Sequence, residues 1–283
     1  EYKFSDDIMV YGVYSEGFRV GGVNRGRCNQ NGCGTWPLVY DSDTLENVEF
    51  GLKSEFADGR VLFNAVYYDM TVDNQQIEVI DPANKLGNFS SNFGNAPFQV
   101  VVGNVGESTI EGFELEFRAL IGENLEVGGN YTDIMDAYVD TSPTIPEPRA
   151  DAGSVPTGLE PRSQLPLMPD QTYNLYLEYS PSTPLLGGSA NFRISYSHVG
   201  KSLNQITDDF VSYRLPQGDY EVMDASFNLE INDWVARVYV TNLTDERGIT
   251  YEDTQDFDPL WGRYSSNVVR PQTFGFSLRK FFR

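Results

Sequence analysis

The sequence predicts an all-β protein whose strands form a transmembrane antiparallel β-barrel. Three observations lead to this fold class. Apolar and polar residues alternate with a period of two, connections alternate between short and long, and no apolar run approaches the roughly 18 residues of a spanning helix. The alternative is a large soluble β-sandwich or propeller, which shares the alternation but does not require the regular change in connection length.

The chain ends in a predicted strand with one apolar face and one polar face. Within residues 269–282, the apolar side chains alternate with small or polar ones, and the apolar members are Phe274, Phe276, Leu278 and Phe282. A strand that is apolar towards lipid, polar or small towards the lumen, and aromatic at its end is typical of an outer-membrane barrel.

Nine further segments repeat this pattern and bring the prediction to about ten spanning strands. The most regular is 222–231, where Met223, Phe227 and Leu229 alternate with Asp224 and Asn228. The others, in chain order, are 9–18, 46–56, 60–80, 111–119, 125–138, 173–179, 190–198 and 234–242. Most reach or exceed the roughly 9–11 residues of a tilted membrane strand.

The connections predict which end of the barrel faces which compartment. Short turns are expected at 57–59, 122–124, 180–187 and 232–233, and long loops at 19–43, 81–103, 140–168, 203–217 and 247–267. Outer-membrane barrels have short periplasmic turns and long extracellular loops. A periplasmic C-terminus then places every connection on the side that its length predicts.

Composition limits the classes of partner. The net charge is −21 with a pI near 4.3, and 20 Lys and Arg residues do not provide the basic footprint that nucleic acids require. Much of the acid falls in the expected loops, where it forms a solvated surface or binds divalent cations that bridge to lipopolysaccharide. No resident cofactor or metal site is predicted.

The first residues do not resemble a signal peptide, so a mature or partial chain is expected.

The only two cysteines, Cys28 and Cys33, fall in the first expected loop. An oxidising compartment and the lack of a nearby histidine in sequence favour a small disulfide over a metal pair.

Five segments, in order along the chain, resemble the TonB-dependent receptors. YGVYSEGFRVGGVN at 11–24, YDSDTLENVEFGLKS at 40–54 and NVGESTIEGFELE at 104–116 are similar to family stretches, as are NLTDER at 242–247 and RPQTFGFSLRKFF at 270–282. The resemblance implies that residues 1–283 form the C-terminal portion of a 22-stranded barrel, whose plug domain and TonB box are N-terminal to these residues. Lys280, Gln272 and Arg283 depart from the family's usual C-terminal pattern.

The resemblance implies energised uptake of a scarce nutrient, with TonB acting on the plug, and a ferric siderophore is the ligand expected first. Arginines and aromatic residues in the loops suit anionic siderophores. The expected ligand-binding residues are Arg19, Asn24, Arg25, Trp36, Phe89, Asn92, Phe93, Arg149, Arg162, Tyr213, Arg214, Tyr251, Trp261, Arg263 and Tyr264. Phe274, Phe276, Leu278 and Phe282 are expected to form the signal for the barrel-assembly machinery.

Lumen-facing charges are expected to form a polar wall that contacts the plug and water. They are Glu49, Lys53, Glu55, Glu114, Glu116, Arg118, Arg193, Asp224, Glu230, Arg237 and Arg279.

Other functions stay open at this point. An outer-membrane enzyme is disfavoured because the only histidine, His198, is in phase with outward-facing residues. A passive porin and an adhesin share the strands and the long loops. Within the transporter class, a saccharide or oligosaccharide is the main alternative ligand, since Trp36 and Trp261 can stack on sugar rings. Cobalamin, peptides and other metal complexes are further alternatives.

Overall fold

The structure is a computed structural model that describes most of the chain. The described residues are 1–23, 28–29, 32–33, 39–80, 89–91, 94–96, 100–104, 106–139, 144–146, 154–156, 162–206, 215–258 and 263–282. Among them there is no helix, and therefore no helix long and apolar enough to cross a membrane.

Ten long strands form the fold. They are β1 (Ile8–Arg19), β2 (Asp43–Phe56), β3 (Val61–Asp73), β4 (Ser108–Ile121), β5 (Leu125–Val139), β6 (Gln171–Tyr179), β7 (Ser189–Leu203), β8 (Pro216–Ile231), β9 (Trp234–Thr241) and β10 (Thr273–Lys280). Each pairs antiparallel with its neighbours in sequence, so the sheet is a continuous meander. The predicted fold class is confirmed, and the structure extends several strands beyond the predicted bounds.

Shorter strands lie mostly in the long connections. They are Tyr2–Lys3, Gly22–Val23, Cys28–Asn29, Gly32–Cys33, Val39–Tyr40, Gln76–Ile80, Phe89–Ser91, Gly94–Ala96, Val100–Asn104, Thr144–Pro146, Ser154–Pro156, Ser163–Gln164, Ile249–Asp258 and Arg263–Val268. We call the end of the sheet that carries these long connections the loop end, and the opposite end the turn end.

Two predicted segments differ from the structure. The single strand expected over 60–80 is wrong, because Asn74 has a φ of 57° and turns the chain. Gln76–Ile80 then pairs with Val100–Asn104 in a separate hairpin at the loop end. Residues 247–267, expected as a loop, contain the hairpin of Ile249–Asp258 with Arg263–Val268, in which backbone groups of the long connection pair with each other.

Cross-strand register divides the sheet into an apolar face and a polar face, because directly opposed residues of paired strands share a face. One row across β7–β10 consists of Phe192, Phe227, Val238 and Phe276. The adjacent row, on the other face, consists of Asn191, Asn228, Arg237 and Ser277. The alternation read from the sequence is therefore the alternation of two continuous surfaces.

The main buried cluster lies at the loop end, where strands and loop bases pack together. Val139 has no exposed surface, Leu165 is 4% exposed and Ile206 is 9% exposed. Ile77, Ile110, Ala137 and Met168 pack against them. This cluster anchors the bases of the loops to the sheet.

The sheet does not close on itself within the described residues. β10 pairs only with β9, and β1 pairs with β2 and the short strand Tyr2–Lys3. Both edges therefore carry backbone groups that have no ladder partner in this sheet.

Candidate functional site

Arg19, expected as a ligand-binding residue, lies at the loop end in an ion pair with Asp43. The Arg19 Nε donates to Asp43 Oδ2 at 2.9 Å, and its Nη2 contacts the same carboxylate and the Gln76 carbonyl. The Asp43 side chain is only 2% exposed, and it also accepts a bond from the Gln76 amide at 3.0 Å. A buried carboxylate needs such partners, so much of the hydrogen-bonding capacity of Arg19 is committed to Asp43.

Two amide side chains extend this network between the bases of the first two loops. Gln76 Nε2 donates to the carbonyls of Val20 at 3.1 Å and Asp41 at 3.0 Å. Asn104 Nδ2 donates to Asp41 O and Asn74 O, while its Oδ1 accepts from the Asp41 amide at 2.8 Å. These residues hold the first two loops together. The sequence pattern does not single out Asp43, Gln76 or Asn104, although Asp43 and Asn104 lie in family-like segments.

Arg162 lies on the apolar side of the sheet at the loop end. Its guanidinium carbon is 3.6 Å from the centre of the Tyr138 ring, and its Nη2 is 3.4 Å from Asp136 Oδ1. Tyr138 is paired with Thr109, which shares the face of Phe113. The Arg162 side chain is 60% exposed, so it is accessible from the outer side of the wall rather than from the polar side.

The remaining expected ligand-binding residues are only partly described. Tyr251 is half-buried in the hairpin of the last loop, opposite Asn267. Phe89, Arg263 and Tyr264 lie on short strands of the loop end. Asn24, Arg25, Trp36, Asn92, Phe93, Arg149, Tyr213, Arg214 and Trp261 lie outside the described residues.

The cysteines lie opposite each other in a short hairpin of the first loop. Cys28 pairs with Cys33, and Asn29 pairs with Gly32.

The polar face carries a hydrogen-bonded array near the centre of the sheet. Arg193 Nη1 donates to Glu178 Oε2 at 2.8 Å, and Asn191 donates to the same carboxylate at 2.8 Å. The Tyr176 hydroxyl donates to Glu126 Oε1 at 2.7 Å, and the Arg193 guanidinium lies 4.1 Å from the Tyr176 ring centre. These contacts link β5, β6 and β7 into one continuous polar surface.

Beside this array is a cavity of about 330 Å³ on the polar face. Its polar lining residues are Glu116, Arg118, Asn130, Asn174, Tyr176 and Arg193. Register places Glu116 opposite Asn64 and Asn130, and Lys53 opposite Asn64, so these expected lumen residues share one face. The cavity can accept hydrogen-bonding groups of either charge.

Tyrosine rings cover glycines on the neighbouring strand at repeated positions. The directly opposed pairs are Tyr11 with Gly51, Tyr68 with Gly112, Tyr176 with Gly128, Tyr239 with Gly275 and, in the first loop, Tyr40 with Gly22. In every pair, a Cβ on the glycine would collide with the tyrosine ring or hydroxyl. The glycines thus provide the space that the rings occupy. These pairs depend on strand register, which the pattern of the sequence does not reveal.

The segment 242–247 closes the base of the last loop. Asn242 is 2% exposed, and its Nδ2 donates to the carbonyls of Glu246 and Arg270, both at 2.9 Å. Asp245 accepts from the Gln272 amide at 3.1 Å and from Arg247 at 3.0 Å. The Gln272 amide, followed by Arg247, lowers the pKa of the Asp245 carboxyl below its ordinary value.

The expected outward residues of the C-terminal strand are all exposed. Phe274 is 73% exposed, Phe276 67%, Leu278 55% and Phe282 86%. No group of three or more His, Cys, Asp or Glu side chains with metal-binding geometry occurs within the described residues.

The chain matches a known protein family and several solved structures. Residues 1–243 match the model of the TonB dependent receptor-like β-barrel family. Three solved structures resemble the chain in fold. They are the ferric yersiniabactin uptake receptor FyuA from Yersinia pestis (19% identity, TM-score 0.68), the ferric-catecholate import receptor Fiu from E. coli K12 (19%, 0.63) and BauA, the ferric preacinetobactin receptor from Acinetobacter baumannii (16%, 0.62).

The matches cover 99%, 99% and 98% of this chain but only 36%, 34% and 34% of those receptors, respectively. The chain therefore spans about a third of their length. The family consists of outer-membrane β-barrel transporters and receptors of Gram-negative bacteria and is not an enzyme family. With most of its residues matched by the family model, this chain belongs to the TonB-dependent receptor β-barrels.

Proposed function

We propose that this chain is the C-terminal portion of an outer-membrane active transporter that takes up a ferric siderophore. The family match over residues 1–243 carries the proposal. Yersiniabactin, catecholate and preacinetobactin receptors among the fold neighbours support the ligand class. An open sheet supports further strands in the barrel, because each unpaired backbone group in lipid costs several kcal/mol.

In this proposal the loop end is extracellular and the turn end, with the C-terminus, is periplasmic. The ligand binds at the loop end, where Tyr251, Arg263 and Tyr264 lie in the last loop's hairpin. The polar face, including the Arg193–Glu178 pair, contacts a plug domain elsewhere in the protein. TonB acts on that plug. Transport then consists of ligand binding followed by opening of the plugged barrel, with no covalent chemistry.

The other proposed partners contact the outer surface and the terminus. Acidic side chains at the loop end contact lipopolysaccharide through bridging divalent cations. The barrel-assembly machinery reads the C-terminal strand through Phe274, Phe276, Leu278 and Phe282.

Uptake tests the proposal directly. Cells lacking the gene are supplied with ⁵⁵Fe-loaded siderophores of catecholate, hydroxamate and phenolate type, with and without a functional TonB. We expect at least one siderophore to require both the gene and TonB. Uptake of oligosaccharide but of no siderophore would support the saccharide alternative, and entry that persists without TonB would support a passive porin.

A disulfide between Cys28 and Cys33 is part of the proposal. Directly opposed residues of an antiparallel pair approach to about 4.5–5.5 Å between Cα atoms, within the range of a disulfide. Both thiols should resist alkylation until a reductant is added. Alkylation of both thiols in the untreated protein, purified from the outer membrane, would show that the disulfide is not formed.

A further inference from the structure

Lys280 lies on a surface that is otherwise apolar. From Met223 onward, the apolar face of β8, β9 and β10 carries only one charged residue, which is Lys280. It is directly opposite Trp234, and its Nζ is 5.1 Å from the Trp234 ring centre and 5.1 Å from that of Phe282. Its ammonium therefore lies over two rings rather than beside a carboxylate of the described residues.

A groove of about 440 Å³ lies on the same face, further towards the loop end. Ala225 leaves its floor open, and Phe227, Val238 and Phe274 line its sides. Phe192 packs on Phe227 with a ring-centre distance of 4.7 Å and forms the wall nearest the turn end. The groove is lined by residues of five paired strands, β6 to β10, and Phe274 of the edge strand β10 is one of them.

The groove and the ammonium are aligned along the strands. Val238, which lines the groove, is opposite Phe276, and Lys280 lies four residues further along β10, or roughly 13 Å. The residue between Val238 and Trp234 on this face is Ala236, whose methyl group leaves a shallow path. A cation at the border, with an apolar groove on the same face roughly 13 Å away, matches a phosphate ester with a hydrocarbon chain.

We propose that β8, β9 and β10 bind one anionic phospholipid of the periplasmic leaflet, with its phosphate on Lys280 and one acyl chain in the groove. The leaflet follows from the orientation given under Proposed function, with the turn end periplasmic. Charge complementarity selects the headgroup, and Trp234 suits the interface between headgroups and acyl chains. A lysine at this depth is tolerated because the cost of a charge on the lipid face falls towards zero near the interface.

Brominated lipids measure this contact, because bromine quenches the fluorescence of a nearby tryptophan. The full-length receptor is placed in phosphatidylcholine vesicles containing a small fraction of brominated phosphatidylglycerol or, in parallel, brominated phosphatidylcholine. The Trp234 contribution is obtained by subtracting the signal of the same protein with Trp234→Phe. We expect about a fivefold preference for phosphatidylglycerol, the ratio given by one lysine near an anionic surface.

Lys280→Gln should reduce that preference to about one, whereas Arg279→Gln, on the opposite face, should retain it. Ala225→Phe should fill the groove and lower quenching by both lipids. Each variant is first checked for folding by its heat-modifiable migration in gels. A preference unchanged in Lys280→Gln would overturn the headgroup site, and quenching unchanged in Ala225→Phe would overturn the acyl-chain site.

A Lys280→Gln protein that folds in lower yield but keeps its lipid preference would assign Lys280 to barrel assembly and also overturn the proposal. The experiment measures lipid contact without any siderophore, so failure of uptake and failure of the lipid site are separate results.

Discussion

Gly128 should be intolerant of a single added methyl group. A Cβ at this position would lie 2.6 Å from the Tyr176 hydroxyl and 2.7 Å from its Cζ. The ring cannot move without loosening the Tyr176–Glu126 hydrogen bond of 2.7 Å and its stacking with Arg193. Gly128→Ala therefore forces a choice between a steric clash and the loss of two polar contacts.

The expected cost is about 2 kcal/mol, because the site adopts the less costly of the two outcomes. Overpacking of a well-packed site costs about 1–3 kcal/mol, and a hydrogen bond to a charged group in a half-exposed site contributes about 1 kcal/mol. The matched control is Gly17→Ala in β1, because a Cβ there has no atom within 4 Å. That change should be neutral or stabilising by up to about 1 kcal/mol, since alanine has less conformational entropy to lose.

Urea unfolding of the full-length protein in lipid vesicles, followed by tryptophan fluorescence, measures both changes. Tyr176→Ala in the Gly128→Ala background should recover most of the clash component, with a coupling energy of about 1–2 kcal/mol. Equal unfolding midpoints for Gly128→Ala and Gly17→Ala would refute the role of the tyrosine–glycine pairs. An uncoupled double mutant would show that the cost does not come from the Tyr176 ring.

Three further predictions concern the loop end and the two faces. Asp43→Ala should increase hydrogen exchange at the Gln76 amide by tenfold or more, because it removes a charge-assisted bond of about 1.5–3 kcal/mol; wild-type exchange in this variant would contradict the network. Because the pKa of Asp245 is lowered in the folded state, its ionised form stabilises the fold above the unfolded value of 3.8. That stabilisation is lost as the pH falls through the folded-state pKa. Protection of amides from exchange at the base of the last loop should therefore decline below about pH 4. Asp245→Asn should flatten that dependence, and an unchanged pH profile would exclude this carboxyl as its source. Phe227→Lys should cost about 2–4 kcal/mol if Phe227 lies near the bilayer midplane, whereas Asn228→Ala on the polar face should be mild. Equal midpoints in urea would contradict the assignment of the two faces.

The ten strands were predictable because most of their length carries the two-residue period that a membrane barrel imposes. The segment 222–231 is the clearest case, and the structure extends it to Pro216–Ile231. Short turns were equally readable, since Asn232 and Asp233 separate two alternating runs and Asn232 adopts a φ of 51°. In contrast, Asn74 lies between two β-rich runs, and only its left-handed backbone shows that the chain leaves the sheet there.

Contacts that depend on register were not predictable from the pattern alone. Tyr176 covers Gly128 only because β5 and β6 are aligned so that these residues are directly opposed. A slip of one residue would preserve each strand's alternation while exchanging its faces. Ion-pair partners such as Asp43 for Arg19 are similarly fixed by alignment, and they lie 24 residues apart.

A β-bulge decides the position of Arg162. The register of β4 with β5 shifts between Glu111 and Gly112, which are opposite Asp136 and Ile134, so Met135 is the extra residue. Without the bulge, Tyr138 would share the polar face with Asn130. With it, Tyr138 points to the apolar side and Arg162 stacks there. The sequence contains no period-two signal that marks this exchange of faces.

The bulge also accounts for the partners of Arg162 in electrostatic terms. It brings Asp136 opposite Glu111, which in turn is opposite Asp69, and directly opposed like charges destabilise a sheet. Arg162 contacts Asp136 at 3.4 Å and offsets its negative charge. The Tyr67 hydroxyl donates a hydrogen bond of 2.6 Å to Glu111. Two of the three opposed carboxylates therefore have a stabilising partner.

Arg162 thus has a structural task on the outer wall, as Arg19 has at the loop base. Two of the expected ligand-binding arginines are therefore committed to carboxylates of the sheet. Among the described residues that were expected to bind ligand, Tyr251, Arg263 and Tyr264 share the last loop's hairpin. Among the described residues, substitutions that alter affinity for the proposed siderophore without altering stability should consequently concentrate in that hairpin. Arg162→Ala and Arg19→Ala should instead lower the unfolding midpoint and leave the affinity of the remaining folded protein near that of the wild type.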